Sequence, residues 1–261
     1  MNSDHSAAAD VMYAAAQAGR LDPGRAEVFD RYDGASVVDG EAIQLAVLDR
    51  HRQAGQRVGG WKVGLTSRDG RDSMGAGVRP FGFVLAGRVL ASGAEVSLSA
   101  MGTPSVEPEI CLTIGERLSG TDVTVEQARA AVVSVAASFE VLEKRVPGEL
   151  RRPVIRVADA LGQWGIVVGP EHPAGVALDS LTVGLLRDGE PVGTATSTPD
   201  ILDDPYLSLT RACRELARFG LALEPGQRVI TGSLLPPAVV SGPGEWRASF
   251  GPIGEVAVRF V

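Results

Sequence analysis

Ser105-Val-Glu-Pro-Glu-Ile-Cys111 carries two glutamates that are separated by a single residue. If this segment is a β-strand, its period of two places Glu107 and Glu109 on one face, which they share with Cys111 and Thr113. The intervening positions are apolar and comprise Val106, Ile110, Leu112 and Ile114. Two interpretations are open, because alternating acidic residues also form solvated strand faces. The alternative is an inward face around a cation, without which two buried carboxylates would repel each other.

A third glutamate, Glu140, lies within an apolar stretch. The apolar residues around it are Val132, Val133, Val135, Ala136, Phe139, Val141 and Leu142. A carboxylate in such surroundings needs a partner. Carboxylate oxygens that leave positions open for water suit Mg²⁺ or Mn²⁺. The sequence therefore predicts a hard-metal site formed by Glu107, Glu109 and Glu140.

The composition excludes several classes of protein. The chain has 261 residues, 44% hydrophobic and 22% charged, with a formal net charge of −7. Its pI of about 5.1 leaves no basic surface for nucleic acid. Two cysteines, Cys111 and Cys213, are too few for a disulfide framework, and no apolar run is long enough to span a membrane. Because the N-terminus also lacks a targeting pattern, we expect a reduced, cytoplasmic location.

The predicted secondary structure is mixed. Apolar periodicity and capping residues predict helices at Ala7 to Arg20, Asp39 to Ala54, Val125 to Ala137 and Pro205 to Phe219. Strands are predicted near residues 58–65, 83–85, 95–98, 106–114, 166–168, 181–187, 192–196, 229–231, 239–241, 245–250 and 255–260. Strands outnumber helices and follow no regular βαβ rhythm. The fold class is therefore α+β, around a mixed or rolled β core.

A second chemical feature is Gly59-Gly-Trp-Lys-Val-Gly-Leu-Thr-Ser67, which places Lys62 on a short apolar strand between glycines. An inward lysine beside a metal site could bind a substrate carboxylate or transfer a proton. The alternative for Lys62 is a surface lysine with a buried stem. Thr66 and Ser67 could cap a short helix or bind an anion.

An ordered set of motifs resembles the 2-keto-4-pentenoate hydratase and 4-oxalocrotonate decarboxylase family, within the fumarylacetoacetate hydrolase superfamily. The motifs are Gly60 to Ser67, Phe81-Gly82, Val106-Glu-Pro-Glu109, Phe139-Glu140, Val157-Ala-Asp159 and the ending Gly226 to Phe260. Together they cover nearly the whole chain in the family's order.

The resemblance implies a fold and a cofactor. It implies a mixed β-roll core of the fumarylacetoacetate hydrolase C-terminal-domain type with an N-terminal helical region, a bound Mg²⁺ or Mn²⁺, and a homo-oligomer. We expect the helical region at residues 1–56 and the metal-binding catalytic domain at 57–261. Family positions carry over as metal ligands to Glu107, Glu109 and Glu140, and as the catalytic lysine to Lys62.

The resemblance also implies a reaction. A divalent metal in this family stabilises the enolate of a 2-oxo acid, the species shared by hydration of a 2-hydroxydienoate and by decarboxylation. Further catalytic candidates are Glu143 and Asp159, which could position Lys62 or a water. Their alternatives are a surface salt bridge from Glu143 to Lys144 or Arg145, and a turn cap at Asp159. The expected substrate-binding residues are Leu65, Thr66, Ser67, Phe81, Gly82 and Ser233, although Ser233 could instead close a strand-end turn.

The chain departs from the family pattern in two places. Pro80 stands where the hydratases commonly carry aspartate, and Pro80-Phe-Gly-Phe83 is more similar to the decarboxylase version. Ala158-Asp-Ala-Leu-Gly162 replaces the usual Ala-Asp-Asn-Ala-Ser, so an amide and a hydroxyl are lost.

Three functions therefore stay open. The first is a metal-dependent lyase, most simply a hydratase and alternatively a decarboxylase, acting on a small 2-oxo acid. The second is a C–C hydrolase, which would need a histidine paired with a carboxylate. None of His5, His51 and His172 lies in such a motif. The third is a non-catalytic partner protein.

Overall fold

The helices of the protein flank a large mixed sheet. The structure, a computed structural model, describes residues 5–67, 70–150 and 152–261. Its helices are α1 (Ser6–Ala18), α2 (Val37–Gln53), α3 (Val125–Ala130), α4 (Pro153–Ala158) and α5 (Pro205–Ala217). Short 3₁₀ segments connect several of these elements, and the longest is Pro23–Tyr32.

Several helix boundaries differ from the sequence prediction, including those of α1, which was expected at Ala7 to Arg20 and spans Ser6–Ala18. The cap of α2 is Ser36, and Asp39 completes a capping box three residues later rather than starting the helix. Helix α5 ends at Ala217, before the predicted Phe219. The prediction of a helix from Val125 to Ala137 is wrong beyond Ala130, because the following residues form a strand. The β-branched residues of Val132-Val-Ser-Val135 favour that strand.

Fourteen strands form two sheets in the described part of the chain. They are β1 (Val58–Val63), β2 (Phe81–Leu85), β3 (Val89–Ala91), β4 (Ala94–Val96), β5 (Pro104–Ile114), β6 (Val132–Glu143), β7 (Gln163–Val168), β8 (His172–Pro173), β9 (Thr182–Arg187), β10 (Glu190–Thr196), β11 (Arg228–Ser233), β12 (Ala238–Val239), β13 (Gly244–Ser249) and β14 (Glu255–Phe260).

The larger sheet has the order β2-β1-β11-β5-β6-β7-β3, with β12 added to β5 and β8 added to β6. The smaller sheet has the order β10-β9-β13-β14-β4. Parallel pairs join β1 to β11, β3 to β7 and β14 to β4, while the other pairs are antiparallel. The two longest strands, β5 and β6, are neighbours at the centre of the larger sheet. Mixed pairing without a βαβ repeat matches the predicted α+β class.

One apolar cluster extends through the helices and both sheets. It includes Met12 of α1, Ile43 of α2, Phe139 of β6 and Trp246 of β13, all nearly inaccessible. The described residues before and after position 57 share this core. The expected division into a helical region at 1–56 and a catalytic domain at 57–261 therefore stays a proposal. Within the described ranges, no helix is both long and apolar enough to cross a membrane.

Helix α2 buries a carboxylate in this core. Glu41 is fully buried, and burial raises its pKa to about 8, with a further contribution from the nearby Glu215 carboxylate. Arg218 and the Phe81 backbone oppose the shift only in part. The folded protein therefore holds a proton on Glu41 at neutral pH.

This proton makes stability depend on pH. Between the ordinary pKa of 4.5 and about 8, the folded state binds more protons at Glu41 than the unfolded state does, so the free energy of unfolding falls as pH rises. We predict that Glu41→Gln raises the urea midpoint relative to wild type at pH 8.5 by more than at pH 5. The exposed Glu27→Gln is the matched control and should show no such widening. An equal effect of Glu41→Gln at both pH values would contradict this assignment.

Candidate metal centre and active-site cavity

The register of β5 against β6 brings the three glutamates together. Glu107 and Glu140 are direct cross-strand partners, and Ser138 pairs with Glu109 two residues along. Strand β11 adds a third neighbour, since Ser233 pairs with Glu109. Facing residues on adjacent antiparallel strands have Cβ atoms about 5 Å apart. The pairing thus concentrates three carboxylates on one small area of the sheet.

The side chains converge from there. Glu107, Glu109 and Glu140 each offer one oxygen, and these oxygens all lie within 4.8 Å of one another. The Lys62 ammonium reaches this group from β1 and lies 2.5 Å from Glu140 Oε1. Glu109 and Glu140 are buried, whereas Glu107 is partly exposed.

A glycine fixes the orientation of one carboxylate. The Gly232 backbone N–H donates a 2.7 Å hydrogen bond to Glu109 Oε2. Gly232 has a φ of +119°, and a Cβ there would lie 1.8 Å from Thr66 Oγ1. Any larger residue would therefore be strained and would collide with Thr66. The bulge in the β11–β5 pairing between Ile230 and Ser233 accommodates this local geometry.

The electrostatics of the cluster favour a divalent cation. Burial, together with repulsion from Glu140, raises the pKa of Glu107 to about 8 and the pKa of Glu109 well above its ordinary value. Three ionised glutamates and one ammonium leave two uncompensated negative charges. Since burying unpaired charge costs several kcal/mol per ion, the ionised cluster needs a cation. An all-oxygen donor set at this separation fits Mg²⁺ or Mn²⁺.

The glutamates and Lys62 line a cavity of about 460 Å³. Other predicted site residues in its wall are Leu65, Thr66, Ser67, Glu143, Asp159 and Ser233. Phe81 and Gly82 do not belong to the wall as described. Phe81 packs edge-on against Trp61 and Phe219, with ring centroids 5.5 and 6.0 Å away. Gly82 instead makes room for the Lys62 stem, because a Cβ on it would lie 2.8 Å from Lys62 Cγ. The structure thus gives neither residue direct access to a ligand.

Two hydroxyl groups in the wall have different surroundings. The Ser233 hydroxyl lies 2.7 Å from the Leu235 carbonyl oxygen and 3.0 Å from that of Pro108, so it is engaged by the strand-end turn. Thr66 Oγ1 is buried and has no hydrogen-bond partner among the residues described. Because a buried hydroxyl without a partner is costly, Thr66 is the better candidate to bind a ligand.

A buried ion network borders the cavity on the other side. Arg145 lies 3.1 Å from Glu143 Oε2 and 2.7 Å from Asp159 Oδ1. The second Glu143 oxygen accepts a 3.0 Å hydrogen bond from the Gly102 backbone N–H. Burial raises the pKa of Asp159 even though Arg145 opposes the shift.

Sequence reasoning foresaw only part of this network. The alternative for Glu143 was a surface salt bridge to Lys144 or Arg145. The pair with Arg145 forms, but it is not at the surface, because both side chains are nearly inaccessible. The alternative of Asp159 as a capping side chain is also wrong, since its backbone ends α4 while its carboxylate binds Arg145. Strand β6 extends to Glu143, so the charged Glu143-Lys-Arg145 segment begins inside the sheet and not on a helix surface.

The three histidines lie away from the cavity wall as described. His5 contacts the Tyr32 hydroxyl at 3.0 Å, and His172 forms part of β8. His51 is buried on α2, where burial lowers its pKa to about 4. No histidine is therefore in place to activate water in this cavity.

Comparison with known proteins gives consistent matches at the sequence level, although no family model matches the chain. It is 33% identical over 202 residues to 4-oxalocrotonate decarboxylase from Pseudomonas sp, covering 77% of this chain and 78% of that relative. It is 29% identical over 215 residues to 2-hydroxyhexa-2,4-dienoate hydratase from Comamonas testosteroni, covering 81% of each. A 28% identity to 2-keto-4-pentenoate hydratase from Paraburkholderia xenovorans strain LB400 covers 97% of this chain and 93% of the relative.

Solved structures show the same fold. The 4-oxalocrotonate decarboxylase from Pseudomonas putida G7, complexed with magnesium and adipate, matches with a TM-score of 0.91 at 22% identity, covering 100% of this chain and 98% of that one. Fumarylpyruvate hydrolase from Pseudomonas aeruginosa, in complex with Mn²⁺ and pyruvate, matches with a TM-score of 0.59 at 22% identity over 77% of this chain and 88% of that one. These likenesses confirm the predicted α+β fold of the fumarylacetoacetate hydrolase type.

The fold and the sequence relationship together define the class of protein. The chain belongs to the 2-keto-4-pentenoate hydratase and 4-oxalocrotonate decarboxylase family. The named relatives are enzymes of the lyase class, and the expected family membership is confirmed.

We predict that Glu107→Gln weakens Mn²⁺ binding at least about tenfold, because a neutral amide replaces a charged carboxylate ligand and the cluster then attracts the cation less strongly. Titration calorimetry on the purified protein measures the change. Glu190→Gln, on the exposed strand β10, removes the same charge far from the cluster and should bind Mn²⁺ as wild type does. Unchanged affinity in Glu107→Gln would remove Glu107 from the ligand set.

We predict that Arg145→Met lowers the free energy of unfolding by about 3–5 kcal/mol, because it leaves the Glu143 and Asp159 carboxylates buried without their cation. Denaturant titration measures this loss. Arg117→Met breaks an exposed pair with Glu224 and is the matched control, with little expected effect. Similar unfolding midpoints for the two variants would contradict the structural role of Arg145.

Proposed function

We propose that the protein is a divalent-metal-dependent lyase that hydrates a 2-hydroxy-2,4-dienoate to a 4-hydroxy-2-oxo acid. The observation that carries the proposal is the placement of Lys62 among three converging glutamates at the wall of one cavity. The hydratases among the relatives support this choice of reaction.

The residues expected to hold Mg²⁺ or Mn²⁺ are Glu107, Glu109 and Glu140. When bound, the ion supplies a Lewis acid for the carboxylate and 2-oxygen of the substrate. In the overall reaction a proton moves from the 2-hydroxyl group to C5, and water then adds its hydroxyl to C4 and its proton to C3. These changes balance without an oxidant or a further cofactor.

Lys62 is the proposed proton-transfer or carboxylate-binding residue. Its ammonium is buried and hydrogen-bonded to Glu140, so its position is fixed relative to the proposed metal ligands. Thr66, with its unpartnered buried hydroxyl, is a proposed ligand for a substrate oxygen, and Leu65, Ser67 and Ser233 complete the nearby wall. Glu143 and Asp159 have Arg145 as their partner. We therefore propose that they shape the cavity and do not exchange protons with substrate.

The second candidate function is decarboxylation of a 4-oxalocrotonate-type substrate. Two observations favour it: the relative that matches at 33% identity, and the exposed Lys144 and half-buried Arg156 in the cavity wall. Such cations could bind a second substrate carboxylate. A hydrolase is disfavoured because the described cavity wall contains no histidine.

We also propose that the lyase is located in the cytoplasm and that it forms a homo-oligomer.

We predict that the purified protein with Mg²⁺ consumes 2-hydroxypenta-2,4-dienoate, as followed by ultraviolet absorbance, and that the product is 4-hydroxy-2-oxopentanoate. A parallel incubation with 4-oxalocrotonate tests the second candidate through release of CO₂. Activity with 4-oxalocrotonate alone would replace the hydratase proposal, while silence with both substrates would favour a non-catalytic role.

Lys62→Met should lower kcat by about 10²–10⁴-fold, because it removes the proton-transfer group and keeps the apolar stem. Mn²⁺ binding, measured by calorimetry, should persist, since Lys62 is not among the proposed ligands. Full activity of Lys62→Met would exclude Lys62 from the mechanism.

A further inference from the structure

Three consecutive residues at the edge of the cavity have left-handed backbone conformations. Ala160, Leu161 and Gly162 have φ values of +50°, +57° and +82°. Glycine adopts this region freely, but alanine and leucine do not. Strained backbone of this kind persists only where the surrounding structure holds it, and it is concentrated at functional sites. We call these three residues the left-handed turn.

Arg145 holds both ends of the left-handed turn. Its guanidinium donates to the Asp159 carboxylate at 2.7 Å and to the Asp159 carbonyl oxygen at 3.2 Å, immediately before the turn. It also donates to the Gln163 carbonyl oxygen at 2.9 Å, immediately after the turn. A single buried cation thus binds the backbone on either side of the strained residues, which explains how their conformation is maintained.

The turn directs the Leu161 side chain into the cavity wall. Leu161 Cδ1 lies 2.2 Å from the position that a Cβ on Gly64 would occupy, so the leucine fills the space that this glycine leaves open. Gly64 follows Lys62 by two residues, and side chains two apart in an extended segment share a face. Leu161 therefore packs over Gly64, directly after β1, and on the face of β1 that carries Lys62.

The cavity wall also contains the apolar side chains of Leu142, Val146 and Leu235. Leu142 and Val146 are buried, whereas the charged Lys144 is exposed and Arg156 is half-buried. An apolar wall beside Lys62 limits the volume available to the substrate carbon chain beyond its metal-binding end. The Arg145 contacts to Asp159 and Gln163 fix the backbone on both sides of Leu161.

We infer that Leu161 is a specificity-determining residue that restricts the size of the group carried by C5 of the substrate, and that the left-handed turn held by Arg145 is the device that positions it. This inference rests on the proposed function, since it assumes a 2-hydroxydienoate or related 2-oxo acid in the cavity. Removing one or more methylene-sized groups from an apolar pocket changes discrimination between substrates by about 10–200-fold.

The test compares substrates that differ only at C5. We expect Leu161→Ala to raise kcat/KM for 2-hydroxynona-2,4-dienoate, relative to 2-hydroxypenta-2,4-dienoate, by at least about tenfold over the wild-type ratio. Leu161→Asn is the second variant, because asparagine tolerates left-handed backbone and is shorter than leucine. It keeps the inference testable if Leu161→Ala does not fold, and it should also raise kcat/KM for the nonadienoate relative to the pentadienoate.

Ala160→Gly is the matched control, since glycine adopts the left-handed conformation without strain and leaves the Leu161 side chain in place. Its substrate ratio should equal that of wild type. An unchanged ratio in both Leu161 variants would overturn the inference. An equal shift in Ala160→Gly would also overturn it, because that variant keeps both the left-handed conformation and the Leu161 side chain.

A binding measurement separates this inference from the proposed function. With Mg²⁺ present, calorimetry compares 2-oxobutanoate with 2-oxooctanoate for wild type and Leu161→Ala. We expect the variant to gain affinity for the longer acid at least about tenfold relative to the shorter one. Wild-type inactivity with both dienoates would refute the proposed reaction, and the 2-oxo acid series would still decide the role of Leu161. Equal relative affinities in wild type and variant would contradict that role.

Discussion

Three carboxylates with a single ammonium between them impose the main constraint on this molecule. One carboxylate oxygen from each of Glu107, Glu109 and Glu140 lies within 4.8 Å of the other two, and Lys62 neutralises only one charge. Full ionisation of the group is unfavourable in buried surroundings, which is why the pKa values of Glu107 and Glu109 are raised. A divalent cation removes this conflict. The central strands β5 and β6 hold the three carboxylates in place, and β1 brings the Lys62 ammonium to them.

The stretches with a clear period could be predicted from the sequence. Alternation in Ser105–Cys111 predicted the strand and placed its two glutamates on one face, and the order of motifs identified the family. Glu140 was associated with the same site although the helix predicted before it extended too far. The helix prediction failed beyond Ala130 because short apolar runs fit either period, and the β-branched residues favour the strand that pairs with β5.

The features that sequence reasoning missed depend on contacts between distant segments. Nothing local distinguishes Arg145 from a surface arginine, and its burial follows from the meeting of β6 with the segment after α4. The replacement at Ala160-Leu161-Gly162 was visible as a departure from the family pattern. Its meaning was not, because left-handed φ values and the fit of Leu161 over Gly64 are properties of the folded chain. Phe81, a motif residue expected to bind substrate, is instead buried in the apolar core.

The most direct measurement of the central claim is anomalous X-ray diffraction from crystals grown with Mn²⁺. We expect a Mn²⁺ peak within coordinating distance of the Glu107, Glu109 and Glu140 carboxylates, with Lys62 beside it and outside its coordination sphere. Crystals that bind Mn²⁺ only elsewhere, or that show the three carboxylates turned away from one another, would contradict the account.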